Sequence, residues 1–274
     1  MSALLHSARA RLRTIGGAVA SIFFPAPCRA CGGIIDSGDR IPLCSACLAA
    51  IAPITGPLCE RCGKPILSLV AAQTTQVLLC HMCRRELYDF DFARSFAKYD
   101  GPLVHAVLAL KYDEVRPLGV WFAKQLAALV RANPELFAAD AVVPVPLHAG
   151  RLRERGYNQA ELIARPLARL LGMPFRSYLL VRTKPRPDKL KLTIRERWRS
   201  VRGAYATRGG AQVDKLRVLL LDDVMTTGAT LDACSRALRA AGAARVVGLT
   251  VARVLPNWEP PTEGQSDDKA KGQE

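Results

Sequence analysis

Beyond residue 87 the apolar positions fall into two alternating periods. "FARSFAKYD" (Phe92 to Asp100) alternates as a strand does. Residues 101–131 repeat apolar positions at helical spacing, with a break at Arg116-Pro117 that divides them into two helices. "AVVPVP" (Ala141 to Pro146) is a short apolar strand ended by proline. "NQAELIARPLARLLG" predicts a helix with Asn158 as its cap and Gly172 as its stop. "SYLLVRT" (Ser177 to Thr183) and "KLRVLLLDD" (Lys215 to Asp223) read as strands, "ATLDACSRALRAAGA" (Ala229 to Ala243) as a helix and "RVVGLTVARVL" (Arg245 to Leu255) as a last strand. Alternation of this kind predicts an α/β domain over residues 87–256: a parallel sheet with helices on both faces.

The flanks follow other rules. In residues 1–24, Arg9, Arg11 and Arg13 precede "IGGAVASIFF" in imitation of a signal peptide, but the apolar part is short and no small-x-small cleavage site follows. The same stretch reads as an amphipathic helix that packs Leu4, Leu5, Leu12, Ile15 and Val19 on the protein. Residues 257–274, rich in Pro, Gly, Asp and Lys, are expected to be disordered. No apolar run is long enough to cross a bilayer, so a cytoplasmic chain without a membrane span is expected.

Residues 25–86 carry eight of the nine cysteines, as four CxxC pairs: Cys28/Cys31, Cys44/Cys47, Cys59/Cys62 and Cys80/Cys83. A CxxC turn aims two thiolates at one point, and tetrahedral zinc needs four. Eight ligands therefore make two closed structural Zn2+ sites with no position left for substrate. Four disulfides would need an oxidising compartment, for which the chain shows no convincing export signal, and an iron–sulfur cluster suits ribbon-like spacing less well. Spacing leaves open whether the pairs combine sequentially or interleaved. His81 stands beside Cys80 as a bystander, and Cys234 lies alone in a helix, where it reads as core. So short a segment builds little apolar core, so its fold should depend on metal.

Charge changes the picture once more. The 274 residues carry a net charge of +15, which favours anionic partners. Between Arg151 and Arg217 there are 18 Lys and Arg against 5 Asp and Glu, a face or loop suited to polyanions or simply to solvent. Against this background "VLLLDDVMTTGAT" (Val218 to Thr230) places Asp222 and Asp223 at the carboxyl end of a strand, where α/β sheets bind ligands. "TTGAT" then opens a helix whose N–H groups, dipole and threonine hydroxyls can wrap a phosphate, with Gly228 allowing the turn. A sugar phosphate reconciles the two: the loop holds phosphate while the carboxylates accept bonds from sugar hydroxyls and attract a divalent cation. The acidic pocket of a response-regulator receiver is a rival, but there the acidic pair follows the first strand of the domain.

The signature resembles the phosphoribosyl diphosphate (PRPP) motif of type I phosphoribosyltransferases. Together with the four CxxC pairs, "LKY" (Leu110 to Tyr112), "VVPVPLH" (Val142 to His148), "RLRERGYNQAELIA" (Arg151 to Ala164) and "RERWRSVRGAY" (Arg195 to Tyr205), it resembles the ComF family, which includes competence proteins of natural DNA uptake. The resemblance implies a type I phosphoribosyltransferase-like fold behind a double zinc ribbon. Asp222 and Asp223 would take the ribose hydroxyls with Mg2+ alongside PRPP. Thr226, Thr227, Gly228, Ala229 and Thr230 would form the 5′-phosphate loop, and Pro144, Val145 and Pro146, running on to His148, the pyrophosphate loop. An Arg-rich hood, Arg182 to Arg202, would cover the site. Many relatives carry T-x-x-Q-x-x-L in that hood, where this chain has Arg186 and Lys189, and often Asn where it has Ser200.

Two functions are compatible with these residues. One is phosphoribosyl transfer to an unknown acceptor with release of pyrophosphate. Arg151, Arg153, Arg155 and Lys111 would then offset charge on the leaving group, and His148 is the one histidine near the pyrophosphate loop. The other is a non-catalytic PRPP sensor or single-stranded-DNA binder of the competence machinery, working with partners such as a helicase. Tyr157, Trp198 and Tyr205, interleaved with the basic residues, could stack on bases or pack within the protein.

Overall fold

The computed structural model describes residues 27–35, 40–66, 77–85, 88–185, 193–209 and 212–255. The helix expected in residues 1–24, the tail 257–274 and the hood stretch "RPDKLKL" lie outside them.

In chain order the elements are α1 (Ser45–Ala49), α2 (His81–Arg84), β1 (Phe92–Lys98), α3 (Gly101–Tyr112), α4 (Pro117–Arg131), β2 (Ala141–Pro144) and α5 (Ala149–Arg155). There follow α6 (Gln159–Leu171), β3 (Leu180–Arg182), α7 (Ile194–Val201), β4 (Tyr205–Thr207), β5 (Arg217–Met225), α8 (Ala229–Ala240) and β6 (Arg245–Arg253). Four strands make one parallel sheet in the order β1-β6-β5-β2. Asn158 caps α6 by accepting from Ala160 N, and Gly172 ends it in the left-handed conformation (φ 65°), as the sequence indicates.

Period-two alternation divides the sheet between two cores. Leu219 and Leu221 of β5 face one way, with Val142, Val247 and Leu249, against α3, α4 and α6. Val218 and Leu220 face the other, with Val143 and Val246, against α8. Continuous apolar strands such as "VLLL" follow from burial on both faces.

One expectation needs correction. "SYLLVRT" does not join the parallel sheet: β3 pairs antiparallel with β4 in a separate two-stranded ribbon. Of its three residues Leu180 is buried, while Val181 and Arg182 are only half-buried, too little apolar surface for a strand covered on both sides. Strand β5 includes the acidic pair, as the sequence indicates, and runs two residues further to Met225, with Asp222 in register with Thr250 of β6. Helix α7 was not anticipated. Its signal is a capping box in "TIRE", where Thr193 Oγ1 accepts from Glu196 N and the Glu196 carboxylate accepts from Thr193 N.

The cysteines gather sequentially, as Cys28/Cys31/Cys44/Cys47 and Cys59/Cys62/Cys80/Cys83, with the sulfurs of each set within 4.8 Å of one another. This resolves the interleaved alternative. Zinc fits both sets. Cys44 N donates to Cys28 Sγ at 3.3 Å, Gly33 N to Cys31 Sγ at 3.4 Å and Cys80 N to Cys59 Sγ at 3.3 Å, the backbone bonds that stabilise bound thiolates. Burial works against the Cys28 thiolate, but the backbone N–H groups of Cys44, Cys31 and Ala30 outweigh it and draw the thiol down to about 6.

The two clusters straddle the edge strand β1. The first, with Leu43 and Ile51, belongs to the core of α3 and α4, and the second to the core of α8. Between them the ribbon segment hydrogen-bonds to β1 itself: Ile54 N donates to Phe96 O (2.8 Å) and Ala93 N to Arg61 O (2.6 Å). Gly63 (φ 66°) approaches so closely that a Cβ would lie 2.7 Å from Ala93 O. Stripping metal with a strong chelator under reducing conditions should release two zinc ions per chain and lower the melting temperature by more than about 10 °C, as atomic absorption and calorimetry would show.

Candidate functional site

Strands β2 and β5 are neighbours, with Pro144 opposite Leu221, so their carboxyl ends open side by side. From β2 the chain enters the Pro144–His148 loop, and from β5 it passes the acidic pair into Thr226–Gly228 and α8. Loop and pair are joined where Val145 N donates to Leu221 O (2.8 Å) and Asn158 Nδ2 to Val145 O (3.0 Å).

Because side chains alternate along a strand, Asp222 and Asp223 point to opposite faces. Asp223, 5% exposed, turns toward α3, and its Oδ2 pairs with Lys111 Nζ at 2.9 Å. Burial works against the Lys111 ammonium, but Asp223 and then Asp222 outweigh it and hold the group above the ordinary lysine range. The Lys111 ammonium therefore stays charged across neutral pH, and its contribution is lost as pH rises through that raised value. Here is how two carboxylates are tolerated beside an anion loop: one is already neutralised. Asp222, half-buried, turns toward the α8 face, and its Oδ1 accepts from Asp223 N at 2.9 Å.

Gly228 (φ 81°) starts α8 in the left-handed conformation. A Cβ there would lie 2.8 Å from Met225 Cε and 2.9 Å from Tyr88 Cε1, so glycine is required by both backbone and space. Thr227 Oγ1 accepts from Ala229 N at 3.3 Å, and Tyr88 Oη donates to Thr227 O at 2.8 Å. Tyr88 was missed by the sequence reading, since an isolated tyrosine at the end of the cysteine-rich segment carries no motif.

The basic candidates divide. Arg151, Arg153 and Arg155 lie on α5, a helix with no buried residue. Arg151 pairs with Glu154 on the same helix (3.4 Å), while Arg155 donates to Gln159 Oε1 (2.7 Å) and lies over the Tyr112 ring (5.1 Å). His148 caps α5, its Nδ1 accepting from Gly150 N at 3.2 Å. The three aromatics are all engaged within the protein. Tyr157 Oη donates to Leu110 O (2.6 Å), Arg182 donates to Tyr205 Oη (2.8 Å), and Trp198 packs on Tyr88 with ring centroids 5.8 Å apart. Among the described residues, no helix is long and apolar enough to cross a membrane.

Replacing Lys111 by Met should destabilise the protein by about 3 kcal/mol by leaving Asp223 buried without its partner. Adding Asp223→Asn should recover much of that loss in a double-mutant cycle read by thermal denaturation.

The model of the "Double zinc ribbon domain" family matches residues 19–84. The chain is 30% identical over 216 residues to "DNA utilization protein YhgH" of Salmonella typhimurium, covering 78% of this chain and 91% of that protein. It is 28% identical to "Competence protein F" of Haemophilus influenzae over 228 residues, 80% of this chain and 93% of that one. Among solved structures it is similar to the glutamine PRPP amidotransferase from B. subtilis, at 23% identity and a TM-score of 0.35, over 49% of this chain and 26% of that one. The extent of the match to these relatives, together with the two cysteine clusters, makes the chain a member of the ComF family of competence and DNA-utilization proteins.

Proposed function

We propose that the chain binds PRPP and transfers its phosphoribosyl group to a nitrogenous acceptor with release of pyrophosphate, in the handling of DNA taken up by the cell. The observation that carries this reading is the convergence at one end of the sheet of the Lys111–Asp223 pair, Asp222 and the glycine-started helix α8. Asp222 and Asp223 would accept bonds from the ribose hydroxyls. Residues 226–230 would hold the 5′-phosphate by their N–H groups and the amino-terminal dipole of α8. Residues 144–148 would hold the pyrophosphate. The half-buried Asp222 carboxylate and the oxygens of the ligand suit a hard divalent cation, and Mg2+ when bound would offset charge on the leaving pyrophosphate.

Within the chain, Lys111 pairs with Asp223 and holds it in place, while Arg151, Arg153 and Arg155 carry positive charge on the helix that leaves the pyrophosphate loop. His148 is occupied as a helix cap, which argues against a general base at that position. The DNA-uptake setting comes from the names of the relatives.

A second reading is supported by α5, whose basic residues bury none of their helix, and by Arg195, Arg197 and Arg199 on α7. These would meet the phosphates of single-stranded DNA, as a PRPP-sensing partner of a helicase or another competence protein. With Tyr157, Trp198 and Tyr205 engaged internally, such binding would be electrostatic and would fall steeply with salt.

Calorimetry of PRPP with the zinc-loaded protein should show binding that requires magnesium and weakens about 100-fold in Asp222→Asn/Asp223→Asn. Absence of binding to the wild type would remove the phosphoribosyl reading and leave single-stranded DNA to be tested.

A further inference from the structure

Tyr88 belongs to neither the acidic pair nor the phosphate loop, yet three parts of the molecule meet on it. It is 5% exposed. Its backbone oxygen accepts from Arg61, the residue just before Cys62 in the second cluster. Its hydroxyl donates to Thr227 O (2.8 Å), and its ring edge fills the space where a Gly228 side chain would stand. One side of the ring stacks on Phe90 (4.6 Å between centroids), and Trp198 of α7 packs against it as well. Burial raises the phenol well above its usual range, so the hydroxyl remains a donor.

The consequence follows from peptide geometry. In a trans peptide the C=O of one residue and the N–H of the next point in opposite directions. With Thr227 O held inward by Tyr88, the Gly228 N–H is turned to the opposite side, away from the tyrosine. The carbonyl, which would repel an anion, is thereby withdrawn, and a donor takes the outward position. A second tether acts on the same loop. Arg253, 4% exposed, donates to Cys62 O (2.7 Å) and to Met225 Sδ (2.8 Å), immediately before Thr226.

We infer that Tyr88 is a positioning residue for the 5′-phosphate loop: it fixes the Thr227–Gly228 peptide and holds it from the second cysteine knuckle. This deepens the PRPP reading and rests on it. It assigns the second cluster a part in ligand binding, transmitted by Tyr88 and Arg253, which the first cluster, on the other face of the sheet, does not share.

The test compares wild type and Tyr88→Phe, which keeps the ring and removes only the hydroxyl, each confirmed to hold two zinc ions per chain. Affinities for PRPP, ribose 5-phosphate and inorganic pyrophosphate are measured by calorimetry with magnesium present. Tyr88→Phe should weaken PRPP and ribose 5-phosphate by a similar factor, about 5- to 10-fold, and leave pyrophosphate unchanged. Hydrogen exchange of the peptide spanning residues 226–232 should be faster in the variant without any ligand. Unchanged ribose 5-phosphate affinity with unchanged exchange overturns the inference, and so does an equal loss of pyrophosphate, which would mark a general loosening. A wild type that binds pyrophosphate but neither sugar phosphate overturns the PRPP reading, and this inference with it.

Discussion

Strand β1 is the edge on which the architecture turns. An edge strand offers a row of unpaired N–H and C=O groups, and here the row is met by the cysteine-rich segment: Arg61 O takes the N–H of Ala93, and Ile54 N donates to Phe96 O. Those two bonds are available only if the segment is folded, and so short a segment has little apolar material of its own to fold with. Metal coordination therefore supplies at the sheet edge what a fifth strand would supply elsewhere. The clusters contribute to different cores, so the ribbon is built into both layers of the domain rather than appended to it.

The candidate site inherits its geometry from this arrangement. β5 is central, flanked by β6 and β2, and its rigidity fixes where Asp222 and Asp223 point. Alternation sends one carboxylate to the lysine of α3 and the other toward the α8 face. The same central strand delivers Met225 to Arg253 and Thr227 to Tyr88. Loop, acidic pair and cysteine knuckle are thus connected through Tyr88, Asp223, Met225 and Arg253, all buried.

Much of this was legible in the sequence, for identifiable reasons. Long elements with a clear period, such as Asn158 to Gly172 with its cap and stop, carry their own boundaries. The cysteine spacing reports the ligands, and "DDVMTTGAT" reports a strand, a turn and a helix start. What was illegible depended on contacts between distant residues. Lys111 and Asp223 are 112 positions apart, and only the fold shows that they pair. Tyr88 is 139 positions from Thr227, and no local pattern distinguishes it from an ordinary apolar residue. "SYLLVRT" is a strand in isolation, but its assignment to a side ribbon was decided by how few of its residues find cover. The sequential grouping of the cysteines also came from three dimensions, since spacing suits two topologies equally.

The opposite edge of the sheet is closed as well, without metal: Val142 N donates to Pro174 O and Arg176 N to Val142 O, laying residues 174–176 along β2. One side of the sheet is thus sealed by ordinary chain and the other by a cover that holds its shape only while its thiolates hold an ion. Oxidation of those thiolates, or competition for the ion, would uncover the backbone of β1 and loosen both cores beneath it. The molecule would then present a bare, apolar strand edge to its neighbours, and depletion of a trace metal would be felt as self-association as well as lost stability.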